Sequence, residues 1–394
     1  GLDMAGERGE SVAFTALYAS NLREMAGVIQ RLKALGIEQV AVAEELTLLL
    51  DSLDDQINYT RSDEKTQRLE EYFSALDRGL SGKQVTINLE DLASDLVIKA
   101  AHLFEQLRTE EWLEEKNGRG WFNGYYDNQG KPLEGVFPEG VRMTLTGQVF
   151  PLMGGIASND QARKIVRAAD HYLYDPEVGG YRLNTDFGKT LLNMGRAFGF
   201  AYGHKENGAM FSHMAVMFAN ALYQQGLVKE GFKVLKGIYR QCVDFPTSRI
   251  YPGIPEYFNP RGRGMYPYLT GSASWYLLTV ITSVFGVRGM AGDLLLKPQL
   301  MPEQFDSQGK AEIQVFFASR RLQVCYFNPD FVEPEKVCVR EIDLNDQAVD
   351  FETMRDCGAF LPRSEITSLP PEGIHRLKVL LGKETREEDD DQRL

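Results

Sequence analysis

Two stretches of this chain hold residue types that can contact oxyanions and sugars. They are His204-Lys205-Glu206-Asn207-Gly208-Ala209-Met210-Phe211-Ser212-His213 and, further along, Leu269-Thr270-Gly271-Ser272-Ala273-Ser274-Trp275. In the second stretch, Thr270-Gly271-Ser272 precede Trp275, Tyr276, Leu277, Leu278, Val280, Ile281, Val284 and Phe285, whose spacing predicts a buried helix with Thr270 or Ser272 as its N-cap. Gly271 has no Cβ to shield its backbone N–H, and first-turn N–H groups lack intrahelical partners, so an anion can reach the positive end of that helix. An ordinary capped helix with no ligand would read the same way. In the first stretch, Asn207-Gly208 is a turn dipeptide, and Met210, Phe211, Met214, Met217 and Phe218 follow at helical spacing. Lys205 and Glu206 therefore sit on a turn that feeds a buried helix, and His213 lies within that helix. A histidine in such a place is commonly a hydrogen-bonded core residue, and a Lys-Glu pair ahead of a helix is commonly solvated.

The order of these blocks carries more than either alone. Lys205-Glu206-Asn207-Gly208 with His213 after it, then Thr270-Gly271-Ser272 before Trp275, resembles the cellobiose phosphorylase family, the family-94 glycoside phosphorylases. Gly9-Glu10-Ser11-Val12, Gly120-Trp121-Phe122 leading into Tyr125-Tyr126-Asp127, and the stretch from Gly289 to Pro298 add to the likeness, which covers residues 1 to about 330. The resemblance implies that Lys205 and Glu206 contact sugar on the leaving-group side, and that His213, Thr270 and Gly271 hold phosphate. It implies inverting phosphorolysis of a β-glucosidic bond to α-D-glucose 1-phosphate. One carboxylic acid protonates the glycosidic oxygen while phosphate attacks the anomeric carbon from the opposite face. An inverting hydrolase needs a second carboxylate to deprotonate water. Phosphate is already a nucleophile, so it needs positioning and charge neutralisation instead. No metal or organic cofactor is required, with inorganic phosphate as co-substrate.

The acid of this chemistry is not assigned. In the family it ends a Trp-Asn-Asp motif shortly upstream of the Gly-Glu-Ser stretch, and no Trp-Asn-Asp occurs in this sequence. The resemblance therefore places the aspartate immediately ahead of Gly1, with Asp3 as the substitute inside the chain. It also implies that the chain is the C-terminal half of a longer enzyme, whose N-terminal half is a partner in the same polypeptide, and that the enzyme forms a homodimer. Between Ile250 and Tyr268 the sequence departs from cellobiose phosphorylase proper. A glutamine that reaches phosphate has no counterpart here, and Arg261 or Arg263 could substitute for it or form an exposed loop. Cellobiose, cellobionic acid and cellodextrins all remain candidate substrates. Trp121, Phe122, Tyr125, Tyr126, Tyr251, Tyr257, Tyr266 and Tyr268 lie in loop-like segments, where rings either stack on sugars or pack beneath the loops.

Composition narrows the class. Of 394 residues, 43% are hydrophobic and 25% charged, as in a globular protein, and the net charge of −13 argues against a nucleic-acid partner, whose phosphates require Lys/Arg stripes. No apolar run is long enough for a membrane span. Cys242, Cys325, Cys338 and Cys357 are scattered, which suggests neither zinc ligation nor a disulfide framework and makes the cytoplasm the expected location.

The elements that must position these residues are mainly helical. Apolar periodicity predicts helices over residues 10 to 35, 41 to 55, 88 to 107, 141 to 156, 160 to 173, 190 to 198, 210 to 225 and 232 to 242, with a polar insertion and one short helix between Asn58 and Gly82. Helix following helix, with no βαβ alternation, is the pattern of a partial (α/α)6-barrel over 1–292. Alternation at Glu312 to Phe317, Leu322 to Tyr326, Val337 to Val339 and Leu377 to Leu381 predicts a small antiparallel β-sandwich over 293–382. The acidic stretch 383–394 has no apolar anchor and is expected to be disordered.

Overall fold

A computed structural model describes residues 9–53, 57–77, 79–188, 191, 194–250, 253–268 and 271–383. Asp3, Tyr251, Thr270 and the acidic stretch beyond Lys383 lie outside the described residues. The chain divides into two compact units, residues 1–173 with 184–199, and residues 174–183 with 200–394.

The first unit is organised by helices α1 (Val12–Ala34) and α3 (Leu89–Glu110). Leu22, Ala26 and Ile29 of α1 meet Leu89, Ala93, Leu96 and Ala100 of α3, and the small side chains let the two helices pack side by side. Caps set their ends. Ser11 Oγ accepts from the Phe14 amide, Asn88 accepts from the Glu90 amide, and Gly36 takes φ +84° just beyond α1. The polar insertion forms α2 (Ser62–Leu76), which buries none of its residues.

The helix expected over 41 to 55 is corrected. Gln39–Ala43 is a strand paired antiparallel with Gln84–Asn88, and only Glu44–Leu49 is helical, as a 3₁₀ turn. Val40 and Val42 alternate with Ala and Gln, and their register against Ile87 and Val85 shows that a period of two prevailed over the apolar run that follows. Beside this hairpin Lys99 pairs with Asp51 at 3.0 Å and Asp95 at 2.6 Å, both carboxylates being buried, and Tyr59 donates to Asp51 at 2.6 Å.

Two further helices of this unit, those expected over 141 to 156 and 190 to 198, differ from expectation. Gly140–Arg142 is a strand paired with Gly135–Phe137, so α4 spans only Thr146–Met153. Of residues 190 to 198, the described part shows a 3₁₀ turn, Arg196–Gly199. α5 (Asn159–Tyr172) keeps its expected place because Ser158 and Gln161 form a reciprocal capping box.

A single buried side chain ties the loops ahead of α4 together. The Glu134 carboxyl receives the Gly124 amide at 3.0 Å, the Thr144 amide at 2.9 Å and the Thr144 hydroxyl at 2.5 Å, with Gln148 Nε2 at 3.4 Å. Gly124 and Gly147 make room for it, since a Cβ on either would stand 2.7 Å from Glu134 Oε1.

The second unit holds α6 (Ser212–Gln224), α7 (Val228–Val243), the single-turn α8 (Phe245–Ser248) and α9 (Gly271–Thr279), whose last turn widens into a π-helix over Val280–Val284. Two sheets follow. Val287–Met290, Asp293–Leu296, Ala359–Leu361 and Glu352–Thr353 form one, in that order. The other runs Lys310–Phe317, Arg320–Phe327, Ile374–Lys383, Val337–Leu344, Gln347–Ala348. The junction expected at 292/293 coincides with the turn of the first hairpin, whose leading strand begins at Val287.

Two expectations for this region are corrected. Arg320–Phe327 and Ile374–Lys383 run parallel, because the last strand of the chain inserts between the second and third, Arg320–Phe327 and Val337–Leu344, so the sheet is mixed. Cys338 and Cys357 are joined by a disulfide: Cys338 lies on Val337–Leu344, Cys357 lies in the turn ahead of Ala359–Leu361, and the Val339 amide donates to the Cys357 carbonyl at 3.1 Å. Among the described residues no helix is long and apolar enough to cross a membrane.

Glu134→Ala would strand up to three buried donors, the Gly124 and Thr144 amides and the Thr144 hydroxyl, and we expect a loss of about 3 kcal/mol in unfolding free energy, read as a lower urea midpoint at unchanged slope.

Candidate active site

Four of the five expected site residues fall in the described part of the second unit, and all five lie within 200–394. The segment that carries Lys205 and Glu206 is folded back on itself. Gly203 donates to the Asn207 carbonyl at 2.7 Å, and Asn207 Nδ2 donates to the Phe200 carbonyl at 2.7 Å. Gly208, at φ +71°, lies under the Tyr202 ring, where a Cβ would come within 2.1 Å of Tyr202 Cε2, so only glycine fits this turn. Lys205 is held at φ +49°, a conformation that costs a residue with a Cβ about 1 kcal/mol.

The Lys205 ammonium projects over two rings, 4.7 Å from the Tyr266 centroid and 5.3 Å from that of Phe200. Its hydrogen bond with the Tyr266 hydroxyl, and then the charges of Glu206 and Glu256, hold it above the usual lysine range. Tyr266 is itself in the left-handed region, at φ +56°, and Tyr268 donates to Glu256 Oε2 at 3.3 Å. Lys205 is thus a fixed cation, flanked by carboxylates and exposed aromatic rings.

A three-stranded sheet links this cluster to the helix bearing His213. Met210–Phe211 pairs with Tyr257–Phe258, which pairs with Gly264–Met265, and the Ser212 amide, opening α6, donates to the Glu256 carbonyl at 2.9 Å. His213 therefore occupies the first turn of α6. Its neighbour across space is Gly271, the first residue of α9: a Cβ there would stand 2.9 Å from His213 Cε1 and 3.1 Å from Nδ1. The His213 and Trp275 rings lie 6.0 Å apart.

The two helices are tied together deeper in the unit by Asn220 of α6, whose Nδ2 donates to Thr279 Oγ1 at 3.2 Å and to Ser283 Oγ at 3.3 Å. Their positive N-terminal ends consequently stand side by side. Burial lowers the His213 pKa, so the imidazole is neutral near pH 7, and its Nε2 is enclosed with no hydrogen-bond partner among the described residues. A neutral imidazole with an unsatisfied ring nitrogen, beside a helix start whose leading residue has no side chain, is an arrangement that can receive an oxyanion.

The other expectations resolve differently. Trp121 and Phe122 are 1% and 0% exposed and are core residues, as is Tyr257, whereas Tyr266 and Tyr268 are exposed beside Lys205. Arg261 and Arg263 lie on an exposed turn around Asn259, whose side-chain oxygen accepts both of their amides. Glu256 was missed by sequence reasoning, although the Pro-Glu-Tyr-Phe stretch between two turns is a strand signal. Among the described residues no group of three His, Cys, Asp or Glu could hold a metal ion.

The profile of the glycosyl hydrolase 94 superfamily catalytic domain matches residues 86–286 of the 394. The chain belongs to that superfamily. It is similar to cellobionic acid phosphorylase of Neurospora crassa, 26% identical over 61% of this chain and 29% of that protein. It is also similar to the 3-O-β-D-glucopyranosyl-β-D-glucuronide phosphorylase of Paenibacillus borealis, 24% identical over 45% of this chain and 24% of the relative. The cyclic β-(1,2)-glucan synthase of Rhizobium meliloti is 25% identical over 53% of this chain and 8% of its own length. The chain thus spans less than a third of each of these relatives.

Gly271→Ala should keep α9, because alanine favours helix, yet push the His213 ring out of place. We expect phosphate affinity to fall by about tenfold, equal to about 1.4 kcal/mol, when measured by calorimetry, with an unchanged circular dichroism spectrum.

Proposed function

We propose that this chain provides the phosphate-holding and sugar-contacting side of an inverting glycoside phosphorylase, which cleaves a β-glucosidic bond with phosphate and releases α-D-glucose 1-phosphate. The observation that carries this reading is the contact of the His213 imidazole with Gly271 at the start of α9, with Nε2 lacking a partner among the described residues. In this reading the phosphate dianion is received by His213, the Gly271 amide and Thr270. Binding draws a proton onto the imidazole, because a dianion alongside favours the charged form. Lys205 and Glu206 take the sugar on the leaving-group side, with Tyr266 and Tyr268 as ring faces beside them. The general acid is supplied from outside the described residues, by an aspartate ahead of Gly1 or by Asp3.

The substrates that fit are cellobiose, cellobionic acid and cellodextrins. The similarity to phosphorylases of cellobionic acid and of a glucosyl glucuronide favours an acceptor sugar bearing a carboxylate, for which Lys205 is the natural counter-charge. The paired helices of both units read as part of an (α/α)6-barrel completed by the N-terminal half of the same polypeptide, followed by the C-terminal β-domain. A homodimer is the form this reading expects, and the Cys338–Cys357 disulfide removes the cysteine-based ground for a cytoplasmic location. The similarity to a cyclic β-glucan synthase sustains a second reading, a glucan-processing domain of a larger synthase.

In the full polypeptide, incubation with β-linked disaccharides and inorganic phosphate should release glucose 1-phosphate whose anomeric proton signal is that of the α anomer. The β anomer, or free glucose with no phosphate dependence, would reject the mechanism. His213→Ala should raise KM for phosphate by at least about tenfold with little change in KM for the sugar. Lys205→Ala should do the reverse.

A further inference from the structure

Of the four cysteines, Cys338 and Cys357 form the disulfide, while Cys242 and Cys325 are free. The bond joins the two sheets of the β-region. Cys338 lies on Val337–Leu344 of the mixed sheet, and Cys357 in the turn between Glu352–Thr353 and Ala359–Leu361 of the other. Residues 345–357, which lead from one sheet to the other, are all exposed or half-buried, so apolar burial does little to hold them. Cys357 itself sits at φ +65°, in the left-handed region that favours glycine, within a turn closed by its amide to the Met354 carbonyl at 3.0 Å and the Met354 amide to the Gly358 carbonyl at 2.8 Å. A backbone held in that region relaxes once its restraint is cut.

The disulfide is also placed where a small thiol can come to it. Both cysteines line a cavity of about 240 Å³, together with Gly226, Lys297, Gln299 and Asp356. Cys338 is buried and Cys357 half-buried, so Cys357 is the residue an incoming thiol meets first. The free cysteines do not compete. Burial pushes the Cys242 thiol up to about 11 and raises that of Cys325, which leaves both protonated and unreactive at neutral pH.

The opposite wall of the cavity leads to the helices. Lys297 pairs with Asp356, the neighbour of Cys357, and a Cβ on Gly358 would stand 3.3 Å from Lys297 Cβ. The Lys297 amide donates to the Gly286 carbonyl at 2.9 Å, and the Gln299 amide to the Val284 carbonyl at 2.8 Å. Gln299 Nε2 donates to the Ser283 carbonyl at 3.1 Å, and the Ser283 hydroxyl is the one that accepts from Asn220 of α6. A continuous series of contacts thus runs from the disulfide to the bond that aligns α6 with the turn ending α9.

We propose that Cys338–Cys357 is a redox-sensitive tether: a dithiol reductant opens it, residues 345–357 come away from the mixed sheet, and the Lys297–Gln299 segment that holds the end of α9 loosens. The inference does not rest on the function proposed above. In the step itself, a thiolate of the reductant attacks the Cys357 sulfur, and Cys338 leaves as a thiolate and takes up a proton. The second thiol of the reductant then resolves the mixed disulfide, releasing Cys357 as a thiol while the reductant departs as its own disulfide.

The test treats the full polypeptide with dithiothreitol at neutral pH, without denaturant, and follows it by alkylation with peptide mapping, amide hydrogen exchange and side-chain amide resonances. Cys338 and Cys357 should both become alkylated. The Lys297 and Gln299 amides should exchange at least about tenfold faster while those of α7 keep their rates, and the Asn220 side-chain amide signal should move. Cys357→Ser should show the faster exchange without reductant and no further change with it. Reduction only in denaturant, Lys297 and Gln299 rates that are the same before and after reduction, an Asn220 signal that stays in place, or acceleration throughout α7 would each overturn the proposal.

Discussion

The candidate site depends on one packing constraint, the lateral alignment of the starts of α6 and α9. Asn220, buried between the helices, donates to both Thr279 and Ser283, and those two acceptors lie one turn apart on the strand of chain that follows Gly271. With the helices held there, the residue that opens α9 must face the first turn of α6. A side chain at that position would collide with the imidazole, so glycine is required by space rather than by backbone angle. The result is a neutral imidazole and a helix start sharing one location, which is the least that recognition of an oxyanion demands. Replacing Asn220 would be felt at His213 even though the two are separated by two helical turns.

The second constraint is the small sheet through Tyr257–Phe258. It fixes Met210–Phe211 on one side and Gly264–Met265 on the other, so the positions of His213 and of Tyr266 are set by one strand. Glu256 belongs to that strand's leading end. Its carbonyl anchors α6, and its side chain accepts from Tyr268 beside Lys205. His213 and the Lys205 cluster are therefore mechanically joined through one strand, which is the coupling the proposed reading needs to keep a nucleophile and a leaving group at a fixed separation.

Much of this was legible in the chain itself. Runs of apolar residues at helical spacing located α1, α3 and α5 to within about three residues at either end, and the caps that the structure shows at Ser11, Asn88 and Ser158 point the same way. The order of the Lys205–His213 and Thr270–Ser274 blocks likewise named residues that the fold brings into one unit. What escaped depended on distant partners. Gln39–Ala43 became a strand only because Gln84–Asn88 lies across from it, and the parallel pairing of Arg320–Phe327 with Ile374–Lys383 joins segments separated by most of the β-region. Cys338 and Cys357 meet for the same reason, and so does the bond of Glu256 with Tyr268, which no local pattern announces. Trp121 and Phe122, by contrast, were ambiguous as motifs and proved to be core, since a Gly-aromatic pair in a loop reads identically whether it faces sugar or is buried.

The central claim is that the His213 imidazole and the start of α9 receive one phosphate. It is tested most directly by following the ring-nitrogen resonances of His213 during a phosphate titration of the full polypeptide. The account predicts that the His213 signals shift saturably, and that its imidazole, depressed in pKa by burial when free, titrates at a higher pH once phosphate is bound. If the His213 resonances and titration stay unchanged while phosphate saturates the protein, the anion binds elsewhere and the account is wrong.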